Sequence, residues 1–544
     1  MIGSVGVIFG ETGSHEYRFA VTDPNGIKRT DYVKVWHPTD GWVLGQIVSM
    51  TRSSDAFGPD GAVTPSGKGI FKPQEKNVAK AMVIGVRDPQ GLLRTPKTPF
   101  SPGDKVYLAD GDLIEHTLGL TRGGAYLGVL DGTDLPVMVD RNKLVQKHIS
   151  ILAMTGSGKS YTAAVIMEEM MEKDVPLLII DPHGEYSTFR SPNDDGDIAA
   201  LSVRFDVEPR GYENVTIYTP TNLKTCEYAD KVLRLNGRNL KPGEIIQYAP
   251  GELNNSEIGL VYEAVNQLME DRRNFSIKEY TIREVLQEIT SSRSNMKWAV
   301  VNKLEPLATA EFLADKPTPI TELFARGRAA VVDMKGVNPD VQQIIVARLL
   351  TNLFEARKAG TVPPGLVVVE EAHLFCPERG FMRTTSGDVL RTIASEGRKF
   401  GLGLMIVSQR PAKVDKNVLS QCSTQIIMRV TNSNDLKAIT KSLEGISSEL
   451  EEEIKRLPPG VALLVSPDIP RPVMVQVRVR RSKHGGASAE VSDESDAEVE
   501  LVEEEVEEEE DEDEEIGTDA SGPDRRAPKK TPNGGIFNRL FGRR

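Results

Sequence analysis

One stretch restricts this chain more than any other: His148-Ile-Ser-Ile-Leu-Ala-Met-Thr-Gly-Ser-Gly-Lys-Ser160. The apolar run predicts a strand and the glycines a tight loop, while Tyr161-Thr-Ala-Ala-Val-Ile-Met-Glu-Glu-Met170 predicts a helix. Glycine backbone lets the N–H groups of Thr155, Gly156, Ser157 and Gly158 turn inward together. The helix that follows points its positive end at the same place. Lys159 can then reach the β- and γ-phosphates of a nucleotide, and the Ser160 hydroxyl can hold Mg²⁺, with Tyr161 beside them. Ala153 stands where such a loop usually has its first glycine. Such a phosphate cradle belongs at the edge of an α/β sheet.

The rest of the chain sorts around that cradle. Residues 1–140 carry short apolar, β-branched runs at 4–9, 17–21, 32–36, 42–50, 79–86, 105–108 and 125–130, with Gly, Pro and Asp between them. That pattern predicts a small β-barrel, with a long Gly/Pro/Ser-rich loop at 51–76. Residues 141–480 alternate strand and helix patterns, predicting a mostly parallel sheet with strands at 148–154, 177–181, 215–218, 329–334, 366–370, 404–408, 424–430 and 461–466. A helical insertion is expected at about 221–317, with helices at 256–270, 277–288 and 296–313. Its Asn302-Lys-Leu-Glu305 is similar to the guanine-reading string of GTPases, but Glu replaces Asp and the context is helical, so a solvated helix face is the reading.

Charge separates the tail from the body. Residues 487–544 hold 20 acidic and 7 basic side chains of the chain's 79 and 66, so residues 1–486 hold 59 of each. The body carries no bulk charge signal for or against nucleic acid. The acidic run at 503–515 predicts disorder in the extension 481–544. The last ten residues, Gly535-Ile-Phe-Asn-Arg-Leu-Phe-Gly-Arg-Arg544, suggest a docking peptide, faintly like a sliding-clamp-binding box without its Gln. Three scattered cysteines exclude a disulfide framework or a structural zinc site. No apolar run reaches membrane-spanning length and no leader is apparent, so a cytoplasmic location is expected.

Three further strings end apolar runs with polar groups. Leu366-Val-Val-Val-Glu-Glu-Ala-His373 reads as a Walker B strand, with Glu370 where Asp usually serves Mg²⁺ and Glu371 placed to polarise water. Leu177-Leu-Ile-Ile-Asp-Pro-His-Gly-Glu-Tyr186 brings Asp181, His183 and Glu185 to the edge where a γ-phosphate would lie. Leu404-Met-Ile-Val-Ser-Gln-Arg-Pro411 offers Gln409 as a sensor, and Glu396-Gly-Arg-Lys-Phe-Gly401 offers Arg398 as an arginine finger for a neighbouring subunit, with Arg391 as the alternate.

Taken with Lys147-His148 and the closing Lys483-His-Gly-Gly486, these strings resemble the archaeal HerA helicase/translocase group, in the HerA–FtsK branch of RecA-like P-loop ATPases. The likeness spans about residues 1–486 and gives the N-terminal unit the place of that family's HAS-barrel. It implies an ATP- and Mg²⁺-dependent homohexamer that moves double-stranded DNA through its pore. It also implies work with the NurA nuclease, and with the Mre–Rad complex, in resecting broken ends. Lys147 matches a family position near the nucleotide. Ser395 departs from relatives that carry Arg there. Arg379, Arg383 and Lys413 are pore-contact candidates by placement. Two other readings are an ATP-switched platform for a nuclease and a conjugation- or secretion-type motor.

Overall fold

The computed structural model describes residues 3–54, 75–120, 122–196, 198–224, 226–249, 253–274, 279–308, 312–380, 384–443 and 448–485. The acidic run 503–515, the terminal peptide 535–544, Arg383 and most of the 51–76 loop lie outside these residues.

Strands Ser4–Ile8, Glu16–Val21, Tyr32–His37, Gly41–Ser54, Glu75–Arg87 and Lys105–Leu108 form a closed barrel. Alternation drives the closure. Along Glu16–Val21 the tyrosine and phenylalanine at every second position, Tyr17 and Phe19, are buried and their neighbours face out. Pairing of Glu16–Val21 with Glu75–Arg87 closes the ring and leaves a core of Ile8, Phe19, Val33, Val35, Ile47, Ala81, Val83 and Phe100. The central hairpin runs further than its apolar pattern suggests, to the pair Ser54↔Glu75, because its outer rungs are exposed polar residues.

The second sheet has twelve strands, in the order Lys231–Val232, Val215–Thr219, Ala329–Asp333, Leu177–Asp181, Gly365–Val369, Leu402–Ser408, Ile149–Leu152, Thr424–Ile427, Val461–Ser466, Ile469–Val477, Ala125–Leu130 and Pro136–Val139. The first eight run parallel, and the last four are antiparallel additions. Central strands are buried on both faces: Leu177 and Ile179 pack into one apolar layer, Leu178 and Ile180 into the other. Helices cover both layers, as an α/β core requires.

Two placements differ from the sequence expectation. Ala125–Leu130, read with the barrel, pairs with Ile469–Val477 in the large sheet. A period-two pattern gives a strand's faces and not its partner. The helix expected from 277 is described from Ile282, because Thr281 caps it: its hydroxyl accepts from Arg283 N–H, and Glu284 reaches back to Thr281 N–H. Helices Pro242–Tyr248, Asn255–Asn274, Ile282–Ser291 and Lys297–Ala308 form one group, and the short pair Leu235–Asn236 and Leu313–Ala314 joins its two ends. Lys303 of the GTPase-like string bonds Glu257 at 2.7 Å, a structural ion pair.

Candidate active site

Parallel strands deliver their C-terminal ends to one edge. Register places Leu152 beside Ser408, Ile180 beside Val369 and Asp181 beside Asp333. Lys159, Ser160, Glu370 and Glu371 therefore meet, and Gln409 reaches Thr155 of the glycine loop, 254 residues away in the chain. Gly156 and Gly158 have φ of +76° and +98°, in the left-handed region that favours glycine. A Cβ on Gly156 would meet nothing within 4 Å, so the space beside the loop at that position is open. Gly158 caps helix Lys159–Met171.

The Lys159 ammonium donates to Glu370 and, at 2.8 Å, to Glu371. The Ser160 hydroxyl lies 3.3 Å from the same Glu370 oxygen. The second Glu370 oxygen accepts from the Tyr186 hydroxyl at 2.7 Å. Burial alone lowers an ammonium's pKa, but the two carboxylates outweigh it and hold Lys159 charged. Burial raises Glu371, yet the His373 contact and Lys159 bring it down to about 2. His373 Nδ1 sits 3.1 Å from Glu371 and 3.2 Å from Ser408 Oγ. Glu371 has φ +47°, strain of about 1–3 kcal/mol for a side chain with a Cβ. That turn swings the second carboxylate of the pair toward Lys159. Gln409, just past strand Leu402–Ser408, accepts from the hydroxyl of Thr155 in the glycine loop.

Not every candidate joins this cluster. Ser157 turns its N–H and hydroxyl onto Met154 carbonyl, bracing the loop from behind. The Asp181 carboxylate accepts from the N–H groups of His183, Gly184 and Tyr186, which shapes the loop carrying His183 and Glu185. Burial, and then Asp333 beside it, pushes Asp181 up to about 7. His183 is exposed at the edge. Tyr161 turns away from the cradle, its hydroxyl accepting from Arg480 N–H. Lys147 closes helix Arg141–Gln146 at the start of the cradle strand, the end opposite the glycine loop. Arg398 is exposed near the C-terminus of helix Thr385–Phe400, also at that opposite edge. Arg391 is committed to Asp388 and Asp415 at 2.6 and 2.8 Å. Arg379 is largely exposed, 3.9 Å from Asp415.

Sequence reasoning gave no role to Tyr186, His373 or Asp333. Asp333 ends an apolar run just as Asp181 does, a usable signal. His373 follows the second Glu by two positions, which does not reveal which way its ring turns.

The residues suit a nucleotide with Mg²⁺: an open glycine loop, a buried ammonium, and a hydroxyl beside a carboxylate. Residues 125–353 match the family model described as Helicase HerA, central domain, and residues 5–87 match the HAS barrel domain. The chain is similar to a protein named Probable DNA double-strand break repair helicase HerA of Methanocaldococcus jannaschii, 27% identical over 78% of this chain and 90% of that one. It is also similar to the DNA double-strand break repair helicase HerA of Pyrococcus furiosus, 26% identical over 87% and 92%. Among solved structures, VirB4 of Thermoanaerobacter pseudethanolicus aligns with a TM-score of 0.47 at 15% identity, covering 66% of this chain and 97% of that one.

Proposed function

This chain belongs to the HerA helicase family, and we propose that it hydrolyses ATP to drive a homohexameric ring along double-stranded DNA. In this reading it is a repair helicase that works with the NurA nuclease, and with the Mre–Rad complex, in resecting broken ends. The observation that carries the reading is the meeting of Lys159, Ser160, Glu370, Glu371 and Gln409 at one sheet edge behind an open glycine loop.

The chemistry follows from those groups. Water attacks the γ-phosphate of ATP, and charge builds on the phosphate oxygens. Lys159 stabilises that charge from a buried position where electrostatics are strong. Glu371 stays ionised across physiological pH, and beside its contacts with Lys159 and His373 it accepts from the attacking water and orients it. Gln409 links the outcome to the loop through Thr155. Mg²⁺, held through Ser160 and Glu370, supplies further neutralisation of the phosphates when bound. Arg398 lies at the far edge from its own cradle, so its partner in catalysis is the next subunit's nucleotide. Contacts with DNA are mainly to phosphates, which makes binding salt-dependent and weakly sequence-selective.

The test is duplex-stimulated ATP turnover together with triplex displacement, with and without NurA. Lys159→Ala should abolish hydrolysis. Glu371→Gln should still bind ATP and slow turnover by about 10²–10⁴-fold. Wild-type turnover in Lys159→Ala would sink the site assignment. Hydrolysis and nuclease binding without triplex displacement would mark an ATP-switched platform, and turnover indifferent to duplex would mark a motor for another polymer.

A further inference from the structure

Glu370 presents two oxygens with different company. One faces the Lys159 ammonium and the Ser160 hydroxyl. The other takes a single bond, from the Tyr186 hydroxyl at 2.7 Å. Tyr186 is fully buried and itself held in place. Its backbone N–H donates to Asp181 at 3.0 Å, and its ring stacks on Phe189 with centroids 5.6 Å apart and planes 12° from parallel. The Arg480 guanidinium lies over the other partner of that stack, 5.2 Å from the Phe189 ring.

We propose that Tyr186 is a positioning residue for Glu370, fixing the carboxylate so that its other oxygen serves Ser160 and the cation beside it. The proposal rests on the ATPase reading above. The need comes from the residue type. Glu at this position has one more rotatable bond than Asp, so its carboxylate has more orientations to lose on ordering. A hydrogen bond to a charged acceptor is among the stronger ones available, and here both partners are buried. Shortening Glu370 to Asp would draw the carboxylate back by roughly one C–C bond, about 1.5 Å, beyond the reach of a 2.7 Å contact. Tyr186 and the length of Glu370 thus form a matched pair.

Tyr186→Phe removes the hydroxyl and keeps the stacked ring. Three measurements on the full chain test it: thermal melting, calorimetric titration of a non-hydrolysable ATP analogue with and without Mg²⁺, and the Mg²⁺ dependence of hydrolysis. Melting should fall slightly, because a buried carboxylate oxygen loses its donor, while the Mg²⁺-free affinity should stay at the wild-type value. The gain in affinity on adding Mg²⁺ should shrink about 10-fold, and the half-saturating Mg²⁺ should rise to match. In a Glu370→Asp background, where the contact is already lost, Tyr186→Phe should add no further change. A wild-type Mg²⁺ response, additive losses in the double variant, or a fall in melting together with Mg²⁺-free affinity would each overturn the proposal, the last by assigning Tyr186 to packing alone. Lys159→Ala separates this from the underlying reading: normal nucleotide binding and turnover in that variant would remove the site itself, whereas an inactive Lys159→Ala beside an unaffected Tyr186→Phe removes only the tyrosine's role.

Discussion

Protonating His148 would set two elements against each other. Its Nδ1 accepts from Leu404 N–H at 2.9 Å, so its Nε2 must carry the proton that meets Ala394 carbonyl at 3.0 Å. The ring therefore ties the start of the cradle strand to helix Thr385–Phe400 and to strand Leu402–Ser408 in one tautomer. A second proton would face an N–H group in a buried place. Burial accordingly depresses its pKa from 6.5 to about 4. Between those values the unfolded chain binds more protons than the folded one, so this stabilisation is complete above pH 6.5 and is lost as pH falls toward 4. At pH 5 the loss amounts to about 2 kcal/mol. Asp181 acts with opposite sign, because a carboxyl raised to about 7 favours the fold at low pH and loses that contribution as pH rises through 7. Comparing variants isolates the histidine. Melting of wild type should fall more between pH 7 and pH 5 than melting of His148→Gln, which can offer the same donor and acceptor without titrating. Parallel losses would remove His148 as the source.

Helix Thr385–Phe400 shows what an element contributes beyond its residues. It carries two arginines, of which the sequence favours Arg398 as the finger and keeps Arg391 as the alternate. The fold ranks them by what surrounds each: Arg391 is clamped between Asp388 and Asp415, while Arg398 is exposed at the helix end, on the sheet edge remote from its own glycine loop. Arg398→Ala should reduce ATP turnover by about 10³-fold or more while leaving melting unchanged. Arg391→Ala should instead lower melting, since it takes from the buried Asp415 its nearest cation, at 2.8 Å. Mixing Arg398→Ala with Lys159→Ala chains should restore part of the activity, because some interfaces then pair an intact cradle with an intact arginine; no recovery at any ratio would place the arginine's work within one subunit. Legibility divides along the same line. Apolar runs ending in Asp181, Glu370-Glu371 and Ser408-Gln409 announced both the strands and the site, since a buried parallel strand is a local pattern and its end is the binding edge. Tyr186 and Glu370 are 184 residues apart, and nothing local in either string reports that their side chains touch.

At the scale of the whole molecule, the decisive feature is where the barrel stops and the ATPase sheet begins. Composition alone places residues 1–140 together, but Ala125–Leu130 and Pro136–Val139 are the last two strands of the large sheet. They also complete a buried charge cluster. Arg478 donates to Glu168 and Glu169 of the cradle helix at 2.9 and 3.0 Å, and its Nε donates to Tyr126 carbonyl. Tyr126 N–H in turn donates to Glu169. A buried ion pair tolerates desolvation only while its remaining hydrogen bonds are met. A chain begun at residue 141 would lose both Tyr126 contacts and expose the apolar edge of Ile469–Val477, a ready template for aggregation. A chain begun at residue 109 keeps the strands, the helix Gly111–Leu118 and the cluster, and gives up the barrel with its contacts to this core: Arg87 on the His116 and Thr117 carbonyls, Arg29 on Glu453, and the packing of Tyr32, Leu44 and Ile84. We expect the longer fragment to stay monodisperse and to bind the non-hydrolysable ATP analogue like the full chain, and the shorter one to aggregate or melt lower. Light scattering and calorimetry on the two fragments decide it. Equal behaviour would mean that the two strands are dispensable to the ATPase sheet, and that the barrel boundary can be drawn at 140 after all.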